Sequence, residues 1–200
     1  MMTQLLKFKA RDPRLNLPPR SGRKRAEANF VIKFMHAYLR QVASSGVGGK
    51  HFALPGFGIA DFVWIAWRNA TNDDEGTALS LERLKARLMK HRLTAFEMKL
   101  VDWRKGFAQA YRYGHFADRG VLVVPPNTAK AALEHKHLFQ HLNVGLWSFD
   151  PDSETIRKHV NPKSLGARNA HARAKAVELI CRRANFSKSG KQFYSFSQRL

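Results

Sequence analysis

Apolar residues recur along the chain with periods that predict an alternating series of helices and strands. From about Arg23 the period is helical, and Val31, Phe34, Tyr38 and Val42 fall on one face. The stretch SSGVGG at 44–49 is expected to end this helix, because glycine tolerates the conformations that turns require. Further helices are predicted at about 79–91, 103–117, 128–142 and 164–184, and the last sixteen residues are expected to fray.

Four apolar runs between these helices predict strands, at about residues 59–67, 93–101, 120–126 and 144–150. The run at 120–126 is continuous, which is typical of a strand buried on both faces. Helices that alternate with strands indicate an α/β fold, in which a mixed sheet is flanked by helices. We expect a basic flexible arm over residues 1–22, a core over 23–150 and a basic helical extension over 151–200.

The charge of the chain is strongly positive and is concentrated at its two ends. The 35 Lys and Arg residues against 15 Asp and Glu give a net charge of +20, and the middle of the chain is nearly neutral. Such an excess is typical of a protein that binds a polyanion, because each phosphate contact releases condensed counterions. A solvated basic surface without such a partner is the alternative. The residues expected to contact phosphates are Arg20, Arg23, Lys24, Arg25, Arg168, Arg173, Lys175, Arg182 and Arg183.

Several classes of protein do not fit this sequence. No apolar stretch is long enough for a transmembrane helix, and a single cysteine, Cys181, supports neither an intramolecular disulfide nor a cysteine zinc module. There is no Walker-type phosphate loop, and His135, His137 and His141 lack the H-E-x-x-H pattern of zinc hydrolases. We therefore expect a cytoplasmic protein without a membrane partner, associated with the nucleoid if the source is bacterial.

Charged residues interrupt two of the predicted strands. Asp61 lies within GIADFVWIAW, where a charge is costly unless it is paired or binds a metal. Glu97 and Lys99 alternate in AFEMKLV, so that both side chains lie on one face of the strand. Two carboxylates can hold Mg²⁺ or Mn²⁺, which neutralises a phosphate and acidifies a bound water. A lysine beside them can orient that water or stabilise the charge that develops on the phosphate.

This arrangement resembles the PD-(D/E)XK nuclease superfamily, which includes restriction endonucleases and Holliday-junction resolvases. The resemblance covers about residues 24–150 and rests on Gly58-x-x-Asp61, then Glu97-x-Lys99 on the next predicted strand, then a helix and an apolar strand. It implies a restriction-endonuclease-like sheet, with Asp61 and Glu97 as metal ligands and Lys99 as the catalytic lysine. The sequence departs from the family in two respects: Ala60 replaces the name-giving proline, and a helix at 79–91 is inserted between the two active-site strands.

Three more residues extend the resemblance. Gln109 and Tyr113 form a Gln-x-x-x-Tyr pattern similar to that of the exonuclease-like branch, and their spacing puts both on one helix face. Glu27 would match an acidic residue that many members carry on the first helix, where it would serve as an additional metal ligand or as a partner of the lysine. By this resemblance Gln109 would help to place a water or a phosphate.

Each of these residues also has a purely structural interpretation. Glu97 and Lys99 could form a solvated ion pair that contributes little to stability. Asp61 could be a hydrogen-bonding residue at the start of a strand, and Glu27 could favour the first turn of its helix through the helix dipole. Gln109 and Tyr113 would then belong to an ordinary helix face.

The hypothesis drawn from the sequence is a Mg²⁺-dependent (or Mn²⁺-dependent) deoxyribonuclease of PD-(D/E)XK type, acting as an endonuclease on DNA. Its main alternative is a non-catalytic basic nucleic-acid-binding or assembly protein on a nuclease-like scaffold, and a ribosome-associated basic protein is a third. RNA as the substrate, exonuclease action, a homodimer and a partner protein are left open.

Overall fold

The computed structural model of the chain describes residues 3–7, 22–42, 45–67 and 81–186, which include a mixed seven-stranded sheet with helices on both faces. The strands are β1 (Thr3–Lys7), β2 (Ser45–Leu54), β3 (Gly58–Trp67), β4 (Arg92–Met98), β5 (Arg119–Val124), β6 (Val144–Asp150) and β7 (Thr155–Val160). The helices are α1 (Gly22–Gln41), α2 (Leu81–Lys90), α3 (Trp103–Tyr113), α4 (Pro126–Leu133), α5 (Lys136–His141) and α6 (Ala170–Phe186).

The strands lie in the sheet in the same order as in the sequence. β2, β3 and β4 form an antiparallel meander, whereas β4, β5 and β6 are parallel and are connected through α3 and then through α4 and α5. Parallel neighbours need such helical crossovers, because a tight turn can join only antiparallel strands. The predicted α/β class with a mixed sheet is confirmed, and so is the helix inserted between β3 and β4, which is α2.

One face of the sheet is covered by α1 through aromatic packing. Phe34 lies 5.5 Å from both Phe96 and Phe149, measured between ring centroids, and Tyr38 lies 5.0 Å from Phe96. The predicted apolar stripe of this helix therefore faces the core. The opposite face is covered by α2 and α6 over the meander and by α3, α4 and α5 over the parallel strands. Within the described ranges, no helix is both long and apolar enough to cross a membrane.

The glycine-rich stretch at 44–49 is the main error in the predicted elements, because from Ser45 onward it is the first half of strand β2 and not a turn. The indole of Trp64 on β3 lies against this strand, and Gly48 is registered opposite Trp64. A Cβ atom at Gly46 would lie 2.2 Å from Cζ2 of Trp64, and one at Gly48 would lie 2.1 Å from the Val63 carbonyl oxygen. The glycines thus provide room for a large side chain on the neighbouring strand.

The sheet also continues beyond the predicted core on both sides. Residues 3–7, expected to belong to a flexible arm, form β1 in parallel register with β2. Residues 155–160, expected to belong to a helical extension, form β7 antiparallel to β6. The helix predicted at 128–142 is two helices separated by a turn at 134–135, and the last predicted helix begins at Ala170. Residues 68–80, between β3 and α2, and the residues after 186 lie outside the described residues.

We expect the Gly48→Ala substitution to lower the free energy of unfolding by about 2 kcal/mol or more, because the added methyl group would displace Trp64 or the β3 backbone. Chemical denaturation followed by tryptophan fluorescence measures this loss. Gly22→Ala is the matched control, since nothing lies within 4 Å of a Cβ atom there. Equal stability of the two variants would contradict the close packing of Trp64 on β2.

Candidate active site

Asp61 lies at a kink that β2 and β3 share. In the register of these strands the residue opposite Asp61 is His51, whose φ of 57° falls in the left-handed region. In a regular strand, residues on the same face are an even number of positions apart. Val47 and Phe52 are an odd number apart and yet pack in the same core cluster, so the alternation of side chains between the two faces of β2 is interrupted between them. At the kink, Oδ2 of Asp61 accepts a hydrogen bond from the Met98 backbone N–H at 2.8 Å. The carboxylate therefore bridges from β3 to β4.

Glu97 is the buried centre of the site. It lies on β4 next to Asp61, one position beyond the registered pair of Phe62 and Phe96, and is only 1% exposed. Its Oε1 accepts a hydrogen bond from Lys99 Nζ at 2.6 Å, and its Oε2 is hydrogen-bonded to the hydroxyl of Tyr113 on α3. The structure thus brings the two acids, the lysine and the tyrosine together at the end of β4.

Gly106 allows α3 to hold Lys99 in place. A Cβ atom at Gly106 would lie 2.8 Å from Cγ of Lys99 and 2.6 Å from Cδ1 of Leu122. Any residue other than glycine at position 106 would therefore hold α3 farther from the sheet. The aliphatic part of the Lys99 side chain packs between this helix and the sheet. The backbone N–H of Lys99 donates to the Val123 carbonyl at 3.1 Å, so the main chain is fixed as well.

The electrostatics of the site favour protonated acids in the absence of a further cation. Burial, followed by the charge of Asp61, raises the pKa of Glu97 to about 7, although Lys99 and Tyr113 oppose the rise. Burial also raises the pKa of Asp61, and the charge of Glu27 adds to that effect. For Lys99, burial lowers the pKa, but Glu97 and the other two acids together raise it above its ordinary value. The lysine therefore remains charged at neutral pH.

The hydrogen bonds of Tyr113 indicate where a proton sits. Its hydroxyl lies 2.6 Å from the Ile59 carbonyl oxygen and also within hydrogen-bond distance of Oε2 of Glu97. A single hydroxyl proton cannot be donated to two acceptors. Both hydrogen bonds have a donor and an acceptor when Glu97 is protonated and donates to the Tyr113 oxygen, while the Tyr113 hydroxyl donates to the Ile59 carbonyl oxygen. Burial, followed by the charge of Glu97, raises the pKa of Tyr113, so this hydroxyl keeps its proton.

Gln109 and Glu27 lie on the two helices that flank the acids. Gln109 is one helical turn before Tyr113 on α3, and its Oε1 is buried with no hydrogen-bond partner within the described part of the chain. Glu27 is half-exposed on α1, close enough for its charge to raise the pKa of both Asp61 and Lys99.

The basic residues predicted to contact phosphates have different environments. Arg25, Lys175 and Arg182 are exposed, and Arg183 is half-exposed. Arg168 is also exposed, and its guanidinium group stacks 4.1 Å over the Tyr111 ring. Arg20 and the side chains of Arg23 and Lys24 lie outside the described residues.

Arg173 requires a correction, because it is not on the surface. It is 6% exposed, lies 3.1 Å from Oδ2 of Asp118 and donates to the His91 carbonyl oxygen. Burial lowers the pKa of Arg173, and the charge of Asp118 opposes that effect. Its guanidinium group links α6 to the start of β4, so we remove it from the candidate phosphate contacts.

Sequence reasoning missed the backbone groups and small residues that shape the site. The Met98 N–H and the Ile59 carbonyl leave no mark in a sequence, because every residue carries both groups. Gly106 did leave one, since a glycine inside a predicted helix often marks a close approach. The kink at His51 could not be read from the pattern, because β2 was itself not predicted.

Asp61 and Glu97 are the residues of this site that could hold a metal ion. Across the described ranges, no three His, Cys, Asp or Glu side chains are close enough to form a complete protein cage for one. Mg²⁺ does not need such a cage, because it keeps several waters and is usually bound by one or two carboxylates. The excess of buried acids over the one lysine is therefore compatible with a bound divalent cation.

Comparisons with known proteins identify no family for this chain. It matches no protein-family model and no curated protein. A solved structure described as "SPO1766 protein of unknown function from Silicibacter pomeroyi" is similar over 90% of this chain and 99% of that chain, with 14% sequence identity and a TM-score of 0.46. This likeness is too low to bear on the fold or the function.

The raised pKa of Glu97 predicts a stability that falls as the pH rises. The folded protein holds the Glu97 proton up to about pH 7, whereas the unfolded chain releases it near 4.5, so the folded state binds more protons between these values. At about 1.4 kcal/mol for each pKa unit, this group lowers the free energy of unfolding by about 3 kcal/mol between pH 4 and pH 8.

Urea denaturation in EDTA across this pH range checks the prediction. The Glu97→Gln variant should lose this part of the pH dependence, because a neutral amide replaces the carboxyl group. Glu134→Gln, at an exposed position, should keep the wild-type profile. A wild-type slope in Glu97→Gln would show that Glu97 does not hold the proton.

Proposed function

We propose that the protein is a metal-dependent nuclease that hydrolyses phosphodiester bonds in DNA. The observation that carries this proposal is the cluster of Asp61, Glu97 and Lys99 at adjoining positions of β3 and β4. A buried pair of acids with a charged lysine is not needed to stabilise a sheet, because burying such charges costs more than apolar packing would. The cluster has an evident use in phosphoryl chemistry.

The order of the elements supports a restriction-endonuclease-like site. The strand with Asp61 is followed by β4, which contains Glu97 and ends just before Lys99, then by α3 and then by the buried strand β5. This is the order on which the resemblance to the PD-(D/E)XK nucleases rests. The contact between Tyr113 and Glu97 gives the Gln-x-x-x-Tyr pattern a role in the same site.

Asp61 and Glu97 would hold the metal ion, and Glu27, whose charge acts on Asp61 and Lys99, would be the additional ligand. When bound, Mg²⁺ or Mn²⁺ would neutralise the scissile phosphate and acidify a water. The raised pKa values of both acids fit this assignment, since burial disfavours their charged forms and the charge of Asp61 adds to this effect at Glu97, and a bound cation would favour the charged forms.

The other side chains would position the reactants. Lys99 keeps its charge and stands beside Glu97, where it would orient the attacking water or stabilise the charge that develops on the phosphate. Tyr113 would fix the orientation of the Glu97 carboxyl group from the side of α3. The unpartnered amide oxygen of Gln109 would accept a hydrogen bond from a water or from the substrate.

The charge distribution supports a nucleic acid as the substrate. A net charge of +20 would hold a nucleic acid through its phosphates, and exposed basic residues of α1 and α6, such as Arg25 and Lys175, are available for such contacts. The same charges would serve a binding or assembly protein, so the acids and not the charge distinguish the two functions.

We expect the wild-type protein to cut supercoiled or linear DNA with Mg²⁺ or Mn²⁺ and to be inactive in EDTA. The Lys99→Met variant should lose at least about 100-fold in rate, because a neutral side chain cannot stabilise the developing charge. Gel analysis of single-stranded and double-stranded substrates measures the rates. Lys130→Met, which removes an exposed lysine from α4, is the matched control.

Two outcomes would contradict the proposal in different ways. Salt-sensitive DNA binding without cleavage under any metal condition would favour a binding or assembly protein. Metal-dependent cleavage that is equally fast in Lys99→Met would keep the nuclease but remove the lysine from its mechanism.

A further inference from the structure

Two arginines share one face of the sheet at the end of β4 and β5 that lies away from the acids. Arg92 begins β4 and Arg119 begins β5. Arg92 lies on the same face as Thr94 and Phe96, because side chains two residues apart in a strand share a face, and Phe96 packs against α1. Arg119 is registered beside Thr94 and therefore lies on this face as well. Roughly 17 Å of strand separates Arg92 from Glu97.

The hydroxyl of Tyr38 on α1 completes a group of three donors. The Tyr38 ring packs on Phe96, with 5.0 Å between the ring centroids, and Phe96 is on the same face of β4 as Arg92. Burial raises the pKa of Tyr38 to about 12, and the charges of Arg92 and Arg119, which lie on the sheet face that α1 covers, oppose this rise. Two cations and one hydroxyl thus converge beside the C-terminal part of α1.

No carboxylate of the described chain forms an ion pair with either of these arginines. Asp118 adjoins Arg119 in sequence, but its side chain is used elsewhere: it pairs with Arg173 at 3.1 Å and accepts the Leu93 N–H at 2.6 Å. Arg119 Nε is buried and has no hydrogen-bond partner within the same described part. Burial, followed by the charge of Arg92, lowers the pKa of Arg119, and Tyr38 and the charge of Asp118 oppose this effect without reversing it.

An anion would resolve both features. It would accept the unpartnered N–H, and it would neutralise two like charges that otherwise repel each other. Guanidinium groups bind phosphate and carboxylate through paired hydrogen bonds. A phosphate has enough oxygens to accept from two strands and a helix at once, whereas a carboxylate has only two.

We propose that Arg92, Arg119 and Tyr38 form a binding site for a phosphate group, separate from the acids at the other end of β4. The phosphate belongs either to a nucleic-acid backbone or to a free phosphate compound, and the chemistry of recognition is the same for both. The site does not depend on the proposed nuclease activity, because its residues lie on the opposite face of the sheet from Glu97.

The direct test is titration of the ¹⁵N-labelled protein with inorganic phosphate, followed through the arginine Nε–H signals. The Arg119 signal, assigned by its loss in Arg119→Lys, should shift downfield and saturate as the free N–H gains an acceptor. Phosphate affinity should fall at least tenfold in Arg92→Ala and should also fall in Tyr38→Phe, which keeps the aromatic packing. Arg157→Ala, which removes an exposed arginine on β7, should bind phosphate like the wild type.

The source of the phosphate is resolved by fluorescence anisotropy with a labelled oligonucleotide in EDTA. Oligonucleotide binding that weakens in Arg92→Ala but not in Arg157→Ala identifies the nucleic-acid backbone. Unchanged oligonucleotide binding, together with lost phosphate binding, identifies a free phosphate compound. A non-saturating shift of the Arg119 signal, or equal phosphate affinity in Arg92→Ala and the wild type, would overturn the proposal.

Discussion

The burial of the Glu97 carboxyl group beneath α3 is the constraint that organises this end of the molecule. A carboxyl group that is 1% exposed needs a proton, a cation or several donors, and the surrounding chain supplies them. Lys99, directly after β4, donates to one oxygen of this group, and the Tyr113 hydroxyl is hydrogen-bonded to the other oxygen from α3, which Gly106 allows to approach closely. The charge of the neighbouring Asp61 raises the pKa of Glu97 further, so the cluster favours an additional cation.

The fold makes this cluster rigid by placing its members on regular elements. In the meander, Asp61 on β3 is held against β4 by the hydrogen bond from the Met98 N–H. The helix α3, which connects the parallel strands β4 and β5, packs over β4. Side chains held on strands and helices keep their positions better than side chains on loops, which suits a site that must orient a water against a phosphate. The aromatic packing of α1 fixes the opposite face of the same strands.

The sequence was most informative where a charged residue interrupts an apolar run. Glu97 and Lys99 stood out because burial of a charge is costly, and the structure brings them into contact. It was least informative where a neighbour decides the local structure. The strand over 45–54 contains glycines because a side chain at those positions would collide with Trp64 on the neighbouring strand. The kink at His51 belongs to this same strand. Arg173 was misassigned because composition does not tell a buried arginine from an exposed one.

Titration of the metal-free protein with Mn²⁺, followed by electron paramagnetic resonance, tests the central claim most directly. The account predicts saturable binding at pH 8, where Glu97 is ionised, and at least a tenfold loss of affinity in Asp61→Asn, with wild-type affinity in the exposed variant Glu134→Gln. Equal Mn²⁺ affinity in the wild type and Asp61→Asn would contradict it, because the buried acids would then not form a metal site.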